Sequence, residues 1–107
     1  MPKKTMEILT ESMFYVLMAF MQMPMCGIEI AEFIDRRTQG RVKMGPATLY
    51  TILGKFEHEK LIRETDVDGR KRTYAITEKG KTVYLEEIER LKSCLQDAFC
   101  SETERRN

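Results

Sequence analysis

The amino-acid sequence predicts a mostly helical α+β domain, in which three helices are followed by a β-hairpin and one long helix. Two observations carry this prediction. Apolar residues recur at helical spacing in four segments, the first three separated by Pro24 and Gly40, and the stretch "LIRETDVDGRKRTYAIT" changes to the extended runs of strands. At 107 residues the chain is one small domain with one core.

The first predicted helix spans about Glu11 to Met23 and is apolar nearly all round. Met13 to Met21 is an unbroken run of nine apolar residues. A helix without a polar face has to be covered on more than one side. Either a partner subunit covers the second side, or the helix is fully buried within its own domain. The run is about half of the roughly 20 residues that cross a bilayer, so we predict no membrane span.

The second and third predicted helices, about 26–38 and 46–60, form a tight helix-turn-helix. Gly40 ends the second helix, and Pro46 suits the first position of the third, where no backbone N–H is needed. The third helix carries an apolar stripe with the i, i+3, i+4, i+7 spacing of an amphipathic helix. Its members are Leu49, Ile52, Leu53 and Phe56.

A hairpin is predicted around Asp68-Gly69, which is a strong two-residue turn signal. Folding the chain there predicts a register in which charges pair near the tip and apolar residues pair at the base. The base is then anchored and the tip stands in solvent. The predicted pairs are Asp66 with Lys71, Thr65 with Arg72, Ile62 with Ala75, and Leu61 with Ile76.

The last helix, about 78–99, is predicted to begin after Thr77 as its N-cap. Its apolar residues have the alternating spacing of a narrow seam, which favours contact with another helix. Because few partners remain in its own chain, we predict a homodimer through this helix and the first one. The predicted interface comprises Phe14, Leu17, Met21, Tyr84, Ile88, Leu91 and Leu95.

This order of elements is that of a winged helix-turn-helix domain, with the hairpin as the wing. Residues 1–77 are predicted to form the winged helix-turn-helix with its N-terminal helix. Residues 78–100 form the dimerisation helix of the same compact domain, and residues 101–107 a frayed polar tail.

Charge and cysteine content narrow the function. The net charge is only +1, yet residues 36–81 hold twelve Lys or Arg against six acidic residues. Three cysteines without a Cys-x-x-Cys pair and one histidine give neither a disulfide framework nor a zinc site, so we expect no cofactor and a reduced, cytoplasmic setting. No nucleophile with a base and no phosphate-cradling glycine loop is recognisable, so an enzyme is not predicted.

The third helix and the wing are the candidate DNA contacts. The helix face away from its stripe carries small and hydroxyl side chains, which suit entry into a major groove, and the wing tip carries three consecutive cations. Two other interpretations stay open: the slim face packs against a neighbouring helix, and the basic tip is only a solvated edge. Tyr50, at the border of the stripe, is either half-buried in the core or offers its hydroxyl to a phosphate. The candidate residues are Lys43, Pro46, Ala47, Thr48, Tyr50, Thr51, Lys55, Arg70, Lys71 and Arg72.

Over about residues 8–95 the sequence resembles the PadR-type transcriptional regulators, in their compact branch. The resemblance rests on "MFYVLMAF", "GIEIAEFI", "GPATLYTILGKFEHEKLI" and "GRKRTYAITEKGK" in this order and spacing. It implies a bacterial or archaeal homodimer that binds DNA, usually as a repressor that a small molecule releases. It also implies that the helix from Pro46 to Lys60 reads DNA, with the wing contact at Arg70 to Arg72.

Some compact members of that family bind planar aromatic drugs between tryptophans, but this chain has no Trp. A pocket for a small hydrophobic or aromatic effector would therefore use Phe14, Tyr15, Met18 and Tyr84. The predicted function is a homodimeric, sequence-specific repressor on a near-palindromic stretch of double-stranded DNA. The alternative is a winged-helix module that binds protein without sequence-specific DNA binding.

Overall fold

The computed structural model describes residues 9–100, and within that range the chain forms four helices and three strands. The strands form one antiparallel sheet in the order β1-β3-β2. This architecture confirms the predicted winged helix-turn-helix, while the predicted tail, 101–107, lies outside the described residues. The elements are α1 (Glu11–Gln22), β1 (Met25–Cys26), α2 (Gly27–Arg37), α3 (Pro46–His58), β2 (Ile62–Asp68), β3 (Lys71–Ile76) and α4 (Glu78–Phe99).

Two threonines cap helices through the same contact. The Thr10 hydroxyl accepts the Met13 N–H at 3.1 Å at the start of α1, and the Thr77 hydroxyl accepts the Gly80 N–H at 3.0 Å at the start of α4. Each satisfies one of the N–H groups that a helix leaves unpaired in its first turn. The predicted N-cap at Thr77 is therefore confirmed.

α1 turns one side to the core and leaves the other side partly open. Val16 and Leu17 are fully buried, whereas Phe14, Met18 and Met21 are only half-buried. Full burial of α1 within its own domain is therefore not what the structure shows. Leu17, predicted for a dimer interface, is enclosed in the protomer's own core and has no surface left to offer a partner.

The hairpin forms, but its predicted register is wrong. Asp68 pairs with Lys71, so Gly69-Arg70 forms the two-residue link in place of Asp68-Gly69. Gly69 has a φ of 63°, which places the left-handed residue first in the link, as in a type II′ turn. An irregularity between Glu64 and Asp66 then shifts the pairing by one residue, a β-bulge, and the base pairs Ile62 with Ile76.

The short strand β1 was not predicted. Met25 and Cys26 pair with Tyr74 and Thr73 of β3, which ties the segment between α1 and α2 to the wing. Both residues are buried. The wing is therefore attached to the start of α2 as well as to the end of α3.

Candidate nucleic-acid interface

α3 is fixed at its start by the backbone and along its length by the core. Gly45 is the N-cap, Pro46 occupies the first helical position, and the Leu49 N–H donates to the Gly45 carbonyl at 3.0 Å. The inner face is buried, as the apolar stripe predicts. Its buried members are Leu49, Ile52, Leu53 and Phe56.

The opposite face of α3 is open to solvent. Pro46, Ala47, Thr48, Thr51 and Lys55, all candidate DNA contacts, are exposed. All of these side chains except Lys55 are short, so a major groove of DNA can approach the helix backbone closely. Among residues 9–100, no helix covers this face, so its interpretation as a packing surface has no partner within the described chain.

Tyr50 does not enter the core. It is 58% exposed, and its ring lies over the start of α2, where the hydroxyl oxygen is 2.8 Å from the position that a Cβ on Gly27 would take. The hydroxyl forms no hydrogen bond with any other described residue. Of the two alternatives for this side chain, half-burial in the core is therefore wrong, and the hydroxyl is available to an external acceptor.

A recess of about 480 Å³ joins α3 to the start of α1. It is lined by Thr10 and Ser12 on one side and by Ala47, Thr48 and Thr51 on the other. The first turn of α1 therefore borders the exposed face of α3, and Ser12 is a candidate contact that the sequence did not reveal. The apolar run that predicts α1 carries no signal about which helix lies beside its first turn.

The wing cations lie on the other flank of α3. Arg70, Lys71 and Arg72 are exposed, and Arg72 Nη1 lies 3.4 Å from Glu64 Oε1 on the facing strand. The three cations and Tyr50 line a second recess of about 680 Å³. The structure thus brings Tyr50 of α3 and the wing candidates to one recess, while Ala47, Thr48 and Thr51 border the other.

Lys43 lies in the turn before α3 and is held by an acidic neighbour. Its Nζ is 2.9 Å from Asp35 Oδ1, and both side chains are more than half exposed. Arg41 similarly contacts Glu11 at 3.1 Å and donates to the Tyr15 hydroxyl at 2.8 Å. Exposed pairs of this kind contribute little to stability, so these cations can exchange a carboxylate for a phosphate at small cost.

The residues predicted for an effector pocket contact one another or nearby arginines. Phe14 stacks on Tyr84 with ring centroids 5.2 Å apart and an angle of 17° between the planes. Tyr15 is engaged by Arg41, and the Met18 sulfur lies 3.8 Å from Arg37 Nη1. Burial raises the pKa of Tyr84, which stays neutral at physiological pH. A planar ligand between Phe14 and Tyr84 would first have to part the two rings.

The predicted interface residues on α4 become more exposed toward its end. Tyr84 is buried, Ile88 and Leu91 are half-buried, and Leu95 is 57% exposed. All side chains from 92 to 99 are exposed. Within the described residues, the last two turns of α4 therefore bury none of their side chains against their own chain.

Between Leu9 and Cys100, no group of three or more His, Cys, Asp or Glu side chains is placed to hold a metal ion. No helix in this same range combines the length and the apolar character that crossing a bilayer requires.

Comparison with known proteins shows which family and which solved structures the chain is similar to. The family described as the transcriptional regulator PadR-like family matches residues 16–86. Curated protein sequences give no match. Among solved structures, a transcriptional regulator from Clostridium thermocellum superposes with a TM-score of 0.70 and 22% identity, over 83% of this chain and 92% of that one.

Two further structures share the fold. RosR of H. salinarum has a TM-score of 0.68 and 18% identity, over 94% of this chain and 86% of its own. Bacillus subtilis PadR, solved in complex with operator DNA, has a TM-score of 0.66 and 16% identity, over 90% of this chain and 63% of its own.

The family match spans more than half of the sequence, and it confirms the prediction of a regulator in place of an enzyme. The chain belongs to the PadR-like family of transcriptional regulators.

Proposed function

We propose that the protein is a homodimeric, sequence-specific DNA-binding repressor that acts in the cytoplasm. One observation carries the proposal: Tyr50, beside the exposed small residues of α3, lines one recess with the three wing cations. In this arrangement α3 enters the major groove, and Arg70 to Arg72 contact the flanking backbone. The B. subtilis structure supports it, because a protein of this fold is seen there with operator DNA.

The proposed homodimer is supported by α4. Eight consecutive helical residues, 92–99, are exposed, and they include Leu95 at 57% and Phe99 at 82%. A short helical segment without packing is marginal in water, so a second copy that covers these turns would stabilise them. Two copies related by a two-fold axis would then present two α3 helices to a near-palindromic operator, with half-sites about one turn of DNA apart.

The proposed effector site lies on the half-buried side of α1. The half-buried side of α1, with Phe14 stacked on Tyr84, would lie beside the α4 interface, so an apolar or aromatic ligand there would contact both subunits. Such a ligand would change the spacing of the two α3 helices. DNA and effector would then oppose each other by linkage, and each would weaken the other by the same factor.

A binding titration tests the DNA proposal. Selection from a random pool of duplexes, followed by fluorescence anisotropy over a series of salt concentrations, is expected to yield a near-palindromic site whose affinity falls steeply with salt. Each neutralised phosphate adds about 0.9 to the slope of log K against log salt. Equal affinity for selected and random duplexes at low salt would contradict sequence-specific binding and favour the protein-binding alternative.

Arg72→Ala is expected to weaken binding of selected and random duplexes alike and to lower the salt slope by about 1. The reason is that a wing cation contacts phosphate, which carries no sequence information. Arg63→Ala is the matched control, since it removes an exposed arginine from the same hairpin but near its base. An unchanged salt slope for Arg72→Ala would show that Arg72 does not contact the DNA backbone.

Thr51→Ala is expected to have the opposite profile, with an altered base preference and an unchanged salt slope. Thr51 lies on the exposed face of α3, where a hydroxyl and a methyl group can contact base edges. Repeating the selection with this variant measures the effect. A loss of affinity that is equal for every sequence would contradict a base contact.

A further inference from the structure

The recess between α2, α3 and the wing has two unlike walls. One wall is formed by the start of α2 with Tyr50 laid over it, and the other by β3 and the wing tip. Its volume is about 680 Å³. Three cations, Arg70, Lys71 and Arg72, border it, against the single carboxylate of Glu29.

Glu29 is already committed to the backbone. Its carboxylate accepts the Cys26 N–H at 2.9 Å, and this hydrogen bond, with a smaller effect from Lys71, holds its pKa below the usual range. The carboxylate therefore stays charged and tied to the helix start. Three cations face Glu29 and the Glu64 carboxylate that Arg72 contacts, so the net charge around the recess remains positive. Such a recess favours an anion.

Gly27 determines where the Tyr50 ring lies. A Cβ on Gly27 would be 2.8 Å from the Tyr50 hydroxyl oxygen and 3.1 Å from the ring carbon that bears it. Gly27 is the first residue of α2 and does not have a positive φ, so its backbone does not require glycine. The absent side chain is instead what allows the Tyr50 ring to lie against α2.

We propose that this recess holds one phosphodiester of the DNA backbone, which receives a hydrogen bond from the Tyr50 hydroxyl on one wall and contacts the wing cations on the other. Gly27 is the positioning residue, because it lets the hydroxyl lie at the edge of the recess. The proposal rests on the proposed DNA binding. It adds that Tyr50, laid over the start of α2, and the wing tip grip the backbone together, so that β1, which joins the start of α2 to β3, fixes the width of the grip.

A double-mutant cycle tests the proposal, with the selected duplex and a random duplex as probes in fluorescence anisotropy. Tyr50→Phe is expected to weaken binding of both about tenfold, the loss of a hydrogen bond to a charged acceptor. Gly27→Ala is expected to weaken both by a similar factor, because the added methyl group displaces the ring. The variant with both changes should bind no more weakly than Tyr50→Phe alone, because the hydroxyl that Gly27 positions is already gone.

Phosphate ethylation interference supplies a readout that a structural role would not change. The wild type should show interference at a backbone position that Tyr50→Phe no longer senses. The thermal midpoint of Gly27→Ala should equal or exceed that of the wild type, since Ala is the better helix former. Additive losses in the cycle, or an interference pattern that Tyr50→Phe leaves unchanged, would overturn the proposal.

Two further outcomes separate the possible failures. If the wild type binds neither duplex, the proposed function itself fails. If it binds DNA and both single variants bind equally well, only the phosphate recess is wrong. Inorganic phosphate at constant ionic strength tests for a free anion: tight binding that needs the Tyr50 hydroxyl, without any interference position on the duplex, would also overturn the proposal.

Discussion

Gly80→Ala is expected to lower the free energy of unfolding by about 3 kcal/mol, an overpacking cost at the upper end of the usual range. A Cβ on Gly80 would collide with the Leu61 carbonyl oxygen and lie 2.7 Å from Ile76 Cγ1. The carbonyl cannot move away easily, because it also accepts the Thr77 N–H at 2.9 Å. The start of α4 would have to shift away from Leu61, which precedes β2, and from Ile76 at the end of β3, and this shift would loosen the corner that holds the wing.

Gly54→Ala is the matched control, and its expected effect has the opposite sign. Gly54 is also helical, but a Cβ there meets nothing within 4 Å. Ala should therefore raise the free energy of unfolding by up to about 1 kcal/mol through helix propensity. Chemical denaturation at one fixed protein concentration measures both variants, since dimerisation makes stability depend on concentration. Equal stability of Gly80→Ala and the wild type would show that Gly80 is not in close contact with Leu61 and Ile76.

Elements that carry their own start and stop signals could be predicted from the sequence. Pro46 marks the start of α3, Thr77 caps α4, and Gly69 lies in the hairpin link, all as local chemistry requires. β1 has no such signal. Its two residues become a strand only because Tyr74 and Thr73 of β3 pair with them, and that partner lies some fifty residues further along the chain.

The hairpin register shows the limit of turn chemistry. The pair Asp68-Gly69 fits a tight turn, but the structure uses Gly69-Arg70, and a bulge at Thr65 absorbs the difference between tip and base. Burial determines the base, where Ile62 must face the core. The turn determines the tip. Since each end satisfies its own constraint, the bulge reconciles them, and no local pattern marks its position.

The candidate interface was predictable in part for the same reason. The exposed face of α3 follows from helical period alone, so Ala47 and Thr51 were placed correctly on the surface. The contact of Tyr50 with Gly27, and the position of Ser12 beside α3, join residues that are distant in sequence. Leu17, in contrast, was predicted for the dimer interface but is buried in the protomer's own core. A helix that is apolar all round does not indicate which side faces its own core.

Leu95→Asp is expected to convert the proposed dimer to monomers and to abolish high-affinity operator binding. Leu95 is 57% exposed in the protomer, so a carboxylate there leaves the protomer fold intact, whereas burying it at a helix-helix contact is costly. We expect the dimer dissociation constant to rise at least about 100-fold, as for the loss of a central interface residue. Operator affinity should fall at least as much, because a two-fold site engages two α3 helices only when they are joined.

Ser93→Asp places the same charge on the same turn but away from the seam, and it should leave the dimer unchanged. Sedimentation velocity measures assembly and circular dichroism verifies the fold; a Leu95→Asp variant that stays dimeric at low protein concentration would show that α4 does not join the subunits through this seam.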